Sequence, residues 1–325
     1  MSIGALIVFA ILFFPLALSA QESPLFSLPR SGHMTFGDWA FDWTVGHKQE
    51  GLELRDVRWQ GTKILFKASL PVIRVKYTGD ARSIGSGDGP YQDRIHWGNL
   101  VVPRGAVGKV VSRSWDDRIL EIAVFSQIGD YDIYHAYYFD RAGTMEGRVY
   151  SRGWSDEETH RHHPYWRLDF DVEHPRNLPR LIRRTRSEVR RVVRIVLEEL
   201  NYWQSRADVE PFRFFISSPA GRHVGVRNVG NASRDAAPGA PWFSFSTKDS
   251  GVRLWKGAED RGWEFGSRGH LGYASPPEAW TRGEWQSGKD VVLWMVHHLD
   301  HAWIEGEDEE GREWHWTTVQ IIPEW

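Results

Sequence analysis

Apolar and polar side chains alternate along much of this chain with the two-residue period of β-strands. Leu52-Glu53-Leu54-Arg55-Asp56-Val57-Arg58-Trp59 shows it, Gln60-Gly61-Thr62 offers a turn, and Ile64-Leu65-Phe66-Lys67-Ala68 resumes the strand character. Similar runs recur at 119–125, 131–139, 144–150 and 165–172, and again at 213–216, 291–297 and 314–322. Many strands at short spacing predict a mainly β domain, a sandwich or a barrel. One stretch departs from the period. Ser187 is placed to cap a helix, and Val189, Val192, Val193, Val196, Leu200 and Trp203 then fall on one helical face. Arg190, Arg191 and Arg194 lie opposite, with Arg183, Arg184 and Arg186 just upstream. The expectation is one amphipathic helix over 187–203, whose arginines form either a solvated face or a polyanion-binding patch.

Residues 1–20 carry no charged side chain and end on small residues before Gln21-Glu22-Ser23. The run is short for a membrane span and predicts a cleaved signal peptide, with Ala17-Leu18-Ser19 suited to the cleavage pocket. An uncleaved anchor is the alternative, because no Lys or Arg precedes the apolar run. No later segment is apolar enough to span a bilayer. The reading is a secreted or extracytoplasmic protein with no membrane contact beyond that leader. Residues 21–44 read as a loosely ordered lead-in and 45–325 as one large domain.

The chain has no cysteine, which removes thiolate metal sites and cysteine nucleophiles. Its formal charge of -3 gives no overall drive towards nucleic acid or anionic membrane. The 18 tryptophans, many in strand-like runs, fit wide β cores. Asn231-Ala232-Ser233 is a glycosylation sequon in what looks like an exposed loop, 229–241.

His160-Arg161-His162 is the sharpest local feature. In a strand, residues two apart project from one face, so two imidazoles can converge on one ion. The strand-like Trp166-Arg167-Leu168-Asp169-Phe170-Asp171 that follows supports this placement. A third ligand is available in His297-His298-Leu299-Asp300-His301, which ends another apolar strand. Three neutral imidazoles suit Cu(II) or Zn(II). Spacing alone fits two surface strand histidines equally well. His135, His163, His297 and His298 read as core or surface histidines, or as groups that hold a ligand's tautomer.

Several stretches, in order, resemble the copper-containing amine oxidases that use topaquinone. Residues 51–79 resemble the family's opening strands, and Ile128-Gly129-Asp130-Tyr131-Asp132-Ile133 resembles its cofactor motif, N-Y-[D/E]-Y after a hydrophobic-Gly. Residues 140–146 resemble its D-G-T-I-E turn, and His160-Arg161-His162 with Arg167-Leu168-Asp169 its copper strand. Tyr273, Glu278, Gly283 and residues 290–301 resemble the approach to the third copper histidine. The resemblance spans about 51–302. It implies a large antiparallel β-sandwich like the family's catalytic domain and copper held by His160, His162 and His301. It further implies Tyr131 as the precursor of topaquinone, Tyr77 as the tyrosine that hydrogen-bonds the quinone, and Asp93 as the general base. The implied reaction takes a primary amine and dioxygen to an aldehyde, ammonia and hydrogen peroxide. A homodimer is implied too, although no counterpart of the family's dimerising arms is identifiable.

The chain also departs from that pattern. Asp130 replaces the motif's Asn, and an ionised Asp cannot donate the hydrogen bond an Asn would. Ile133 replaces its second Tyr, the segment between Asp93 and Tyr131 is short, and an acidic run, 305–310, follows Ala302-Trp303-Ile304. Two other functions therefore stay open: a copper-binding tailoring oxidase on the same fold without topaquinone, and a non-catalytic binding protein.

Overall fold

The computed structural model describes residues 24–46, 50–77, 91–129, 131–153, 160–184, 190–194, 213–230, 242–247, 288–297, 299–301 and 314–325. Within these residues the chain forms strands and one 3-10 turn, Trp97–Asn99. In order they are β1 (Phe26–Leu28), β2 (Ser31–Phe36), β3 (Trp39–Val45), β4 (Leu52–Trp59), β5 (Thr62–Tyr77), β6 (Tyr91–Asp93), β7 (Leu100–Val101), β8 (Val110–Trp115), β9 (Ile119–Ile128) and β10 (Tyr131–Asp140). There follow β11 (Met145–Gly153), β12 (His160–Phe170), β13 (Leu178–Arg184), β14 (Arg190–Arg194), β15 (Arg213–Ser217), β16 (His223–Gly230), β17 (Trp242–Thr247), β18 (Val291–Val296), β19 (Leu299–His301) and β20 (His315–Pro323).

They build two antiparallel sheets. One runs β1-β8-β9-β10-β11-β20-β16-β15-β13-β14, with β7 on β9. The other runs β17-β18-β12-β5-β4-β3-β2, with β19 on β12 and β6 on β5. This is the mainly β, two-sheet architecture that the alternating runs predict. Gln60 and Gly61 both have positive φ, 50° and 75°, so the β4–β5 hairpin closes in a tight turn that matches strand twist.

The core lies between the sheets. Phe41 of β3 stacks on Phe139 of β10 with ring centroids 4.2 Å apart. Trp39 meets Phe139 edge-on and donates its indole N–H to the Asp140 carbonyl at 2.7 Å. Trp166 of β12 reaches so close to β11 that a Cβ on Gly147 would come within 2.9 Å of the indole. The bulky aromatics span the gap while glycine makes room opposite them.

Two sequence expectations are corrected. Residues 21–44 are not a loose lead-in over their described part: β1, β2 and most of β3 fall there, and Trp39 and Phe41 are buried core residues. The helix over 187–203 is not formed where the chain is described. Arg190–Arg194 is a strand that pairs with β13, Arg180 opposite Arg194 and Arg184 opposite Arg190. Val192 and Val193 are β-branched, and an adjacent strand edge favours extended backbone over an isolated helical turn. The rest of that stretch, the sequon, Tyr273, Glu278, Gly283 and the leader lie outside the described residues. Among the described residues, no helix is long and apolar enough to cross a membrane.

Candidate metal centre

Three strands meet at the start of β12. Along one edge β12 pairs with β5, His160 opposite Tyr77 and His162 opposite Val75. Along the other it pairs with β19, His160 opposite His301 and His162 opposite Leu299. Directly opposed residues of an antiparallel ladder share a face of the sheet. Tyr77, His160 and His301 therefore occupy one cross-strand row, and His162 lies on the same face two residues along. Backbone separations of roughly 5 Å across strands and roughly 7 Å along one are within the span of imidazoles that meet at a single ion.

His162 is fully buried, and its neighbour is a phenol from the facing sheet. The Tyr131 and His162 rings meet edge-on, 4.8 Å between centroids at 74°. Tyr131 opens β10 immediately after the short β9–β10 turn, in which Gly129 takes φ +58°, and it pairs with Ile128. That turn leaves Tyr131 little freedom and aims its ring, nearly buried, into the core.

Asp93 ends β6 opposite Ile73, so β6 flanks the same end of β5 on the edge away from β12. Burial pushes the Asp93 carboxyl up to about 7. The sequence thus brings His160, His162, His301, Tyr77 and Tyr131 to one end of the sandwich, with Asp93 one strand beyond. Asp130 and His298 lie outside the described residues.

Two further histidines among the described side chains are buried, His135 and His297. His135 is a core residue: its Nδ1 accepts the Leu52 N–H at 3.2 Å, and burial lowers its pKa to about 3. Gly51 is required beside it, since φ is +71° and a Cβ would stand 2.7 Å from that nitrogen. His297 is buried and its backbone N–H donates to the Pro164 carbonyl at 3.1 Å.

A buried imidazole against an oxidisable phenol, on the sheet face that also carries His160 and His301, is a chemistry that a copper ion would suit, because copper favours nitrogen ligands. A second cluster was missed by the sequence reading. Asp169, Asp171 and Asp290 bring carboxylate oxygens within 4.8 Å of one another, an arrangement that hard cations favour. Lys63 Nζ lies 3.0 Å from Asp171 and Arg167 Nη2 lies 3.2 Å from Asp169, so much of that charge is already met by the chain's own cations. The signal was present as Asp169-Phe170-Asp171, two carboxylates on one strand face.

No protein-family model matches the chain, and no curated protein matches it. Solved structures do. A copper-containing benzylamine oxidase from Hansenula polymorpha superposes with a TM-score of 0.57 at 16% identity, over 91% of this chain and 60% of that one. The Pichia pastoris lysyl oxidase gives 0.57 at 15% identity, over 95% and 55%. An Aspergillus nidulans amine oxidase gives 0.55 at 14%, over 96% and 55%. The chain spans little more than half the length of these proteins. At such identities the likeness shows the fold: a large antiparallel sandwich like that of the copper amine oxidases.

Proposed function

We propose that the protein is a copper-dependent oxidase that converts a primary amine, dioxygen and water to an aldehyde, ammonia and hydrogen peroxide in an extracytoplasmic setting. The observation that carries this reading is the Tyr131–His162 contact at the end of the row formed by Tyr77, His160 and His301. His160, His162 and His301 would hold copper. Copper, with a quinone made from Tyr131, would supply the electron sink and the reactivity towards dioxygen that unmodified side chains lack.

The remaining work falls to the chain. Asp93, with its carboxyl at about 7, suits a base that accepts a proton from the α-carbon of the amine near neutral pH. Tyr77 is assigned to orient the Tyr131 ring by a hydrogen bond. The packed aromatic core around Tyr131 keeps bulk water from that ring.

The test is metal analysis of the purified protein, phenylhydrazine trapping, and mass spectrometry of the Tyr131 peptide. Copper with a hydrazone on that peptide is the expected result; absence of bound copper after reconstitution overturns the proposal. A second reading, copper oxidation without the quinone, is favoured by Asp130 and by fully buried Ile133 in place of the motif's Asn and second Tyr. It predicts copper and an unmodified Tyr131.

A further inference from the structure

One edge of the larger sheet differs in polarity and charge from the rest of the molecule. β1 closes that edge by pairing with β8, Phe26 opposite Ser112. Phe26 is 59% exposed, Val107 91% and Val102 48%, three of the few large apolar side chains that face solvent among the described residues. The two valines flank a tight turn between β7 and β8. Ala106 N–H donates to the Pro103 carbonyl at 3.0 Å, and Gly105 at φ +84° permits the bend. Ser27 Oγ accepts the N–H groups of both Val107 and Gly108 at 2.9 Å. The loop tip and β1 are thus tied together, with Phe26 adjacent to the tie.

Basic residues predominate along this edge. Residues 24–30 and 100–115 contain no Asp or Glu, yet hold Arg30, Arg104, Lys109 and Arg113, in a chain of formal charge -3. Arg113 is taken up by Glu121. Trp97 packs against the core with the Arg30 guanidinium 5.0 Å and the Lys109 ammonium 5.4 Å from its ring, and Arg30 also donates to the Val45 and Gly46 carbonyls at 3.0 and 3.4 Å. Lys109 also donates to the Trp97 carbonyl at 3.2 Å.

Exposed apolar tips with basic residues beside them and no Asp or Glu in residues 24–30 and 100–115 are the composition of a surface that meets lipid headgroups. We infer that the β1 edge and the 102–109 loop rest on an anionic phospholipid bilayer. Phe26, Val102 and Val107 enter the headgroup layer, and Arg104 and Lys109 meet the phosphates. The edge sets how the domain lies on the bilayer. The inference is independent of copper chemistry.

Because the chain has no cysteine, Val107→Cys creates a single thiol for a polarity-sensitive dye, and Asp117→Cys labels the other end of the β8–β9 hairpin. The labelled full-length chains are mixed with phosphatidylcholine vesicles with and without phosphatidylglycerol. The expected result is a blue shift at position 107 on the anionic vesicles only, reversed by high salt, with no shift at position 117. Arg104→Glu should lower the bound fraction about fivefold or more, since each basic residue near an anionic surface contributes measurably. The inference is overturned if position 107 stays silent while the chain floats with vesicles, which leaves residues 1–20 as the sole contact. Equal shifts at both positions overturn it too. So does a shift without vesicles that tracks dimer formation in sedimentation, which makes the edge a contact between copies.

Discussion

The two faces of β12 make the most instructive contrast in the molecule. Towards the opposite sheet the strand presents His162, Trp166, Leu168 and Phe170; on its other face stand Arg167 and Asp169, with Asp171 just beyond. Beyond the histidine end of the strand the inner series is apolar, and the His162 imidazole stands against the Tyr131 phenol. The outer series is charged, and Arg167 and Lys63 answer Asp169 and Asp171. Strand alternation alone sorts nitrogen donors to one side and oxygen donors to the other. A slip of one residue in register would exchange them, which is why the ladder with β5 and β18 matters to chemistry as well as stability.

The contrast is open to attack from its strongest point downwards. His162→Ala should remove the inner site: copper affinity falls at least about 100-fold and amine oxidation disappears, read by metal analysis and peroxide release. Tyr131→Phe keeps the ring in the core and should leave copper bound while oxidation is lost. A variant that still turns over amines would break the link between the phenol and the chemistry.

Asp93→Asn should lower kcat by about 10² to 10⁴. In the parent protein activity should climb as pH rises through about 7, where Asp93 ionises. Stability moves the opposite way. The folded chain holds the Asp93 proton up to about 7, whereas the unfolded chain releases it near roughly 3.9. This group's contribution is therefore fully present below about 4 and lost as pH rises through 7. Asp93→Asn should flatten that decline in thermal unfolding scans. On the outer face, Asp169→Ala deprives buried Arg167 of a carboxylate and should cost about 3 kcal/mol in denaturant unfolding. Copper content should not change, and a loss of copper there would show that the two faces are coupled.

Much of this was legible beforehand, and the gaps have physical causes. Runs such as Leu52–Trp59 could be read as strands because Leu52, Leu54, Val57 and Trp59 are buried with charged residues between them, but the bulges that shift the register within that strand left no sequence signal. His160-Arg161-His162 was legible for the same reason. The early strands were not: in β2 no residue is fully buried, so Ser31–Phe36 lacks the apolar stripe that marks a strand. At Arg190–Arg194, valines at helical spacing gave a false period over a segment too short to distinguish the two conformations. The acidic trio required Asp290 from β18's approach to meet β12, a long-range pairing that no local pattern encodes.

β20 lies in the middle of its sheet, bonded to β11 on one side and β16 on the other. The N-terminal and C-terminal halves of that sheet touch through it alone in the strand order, so residues 315–323 act as a keystone set after the arch is raised. Until they dock, β11 and β16 each present an unsatisfied edge, the kind that recruits stray strands. Closure across so great a sequence distance is slow. The nascent chain should thus depend on escorts that shield those edges, and lesions in this last strand should show first as aggregation.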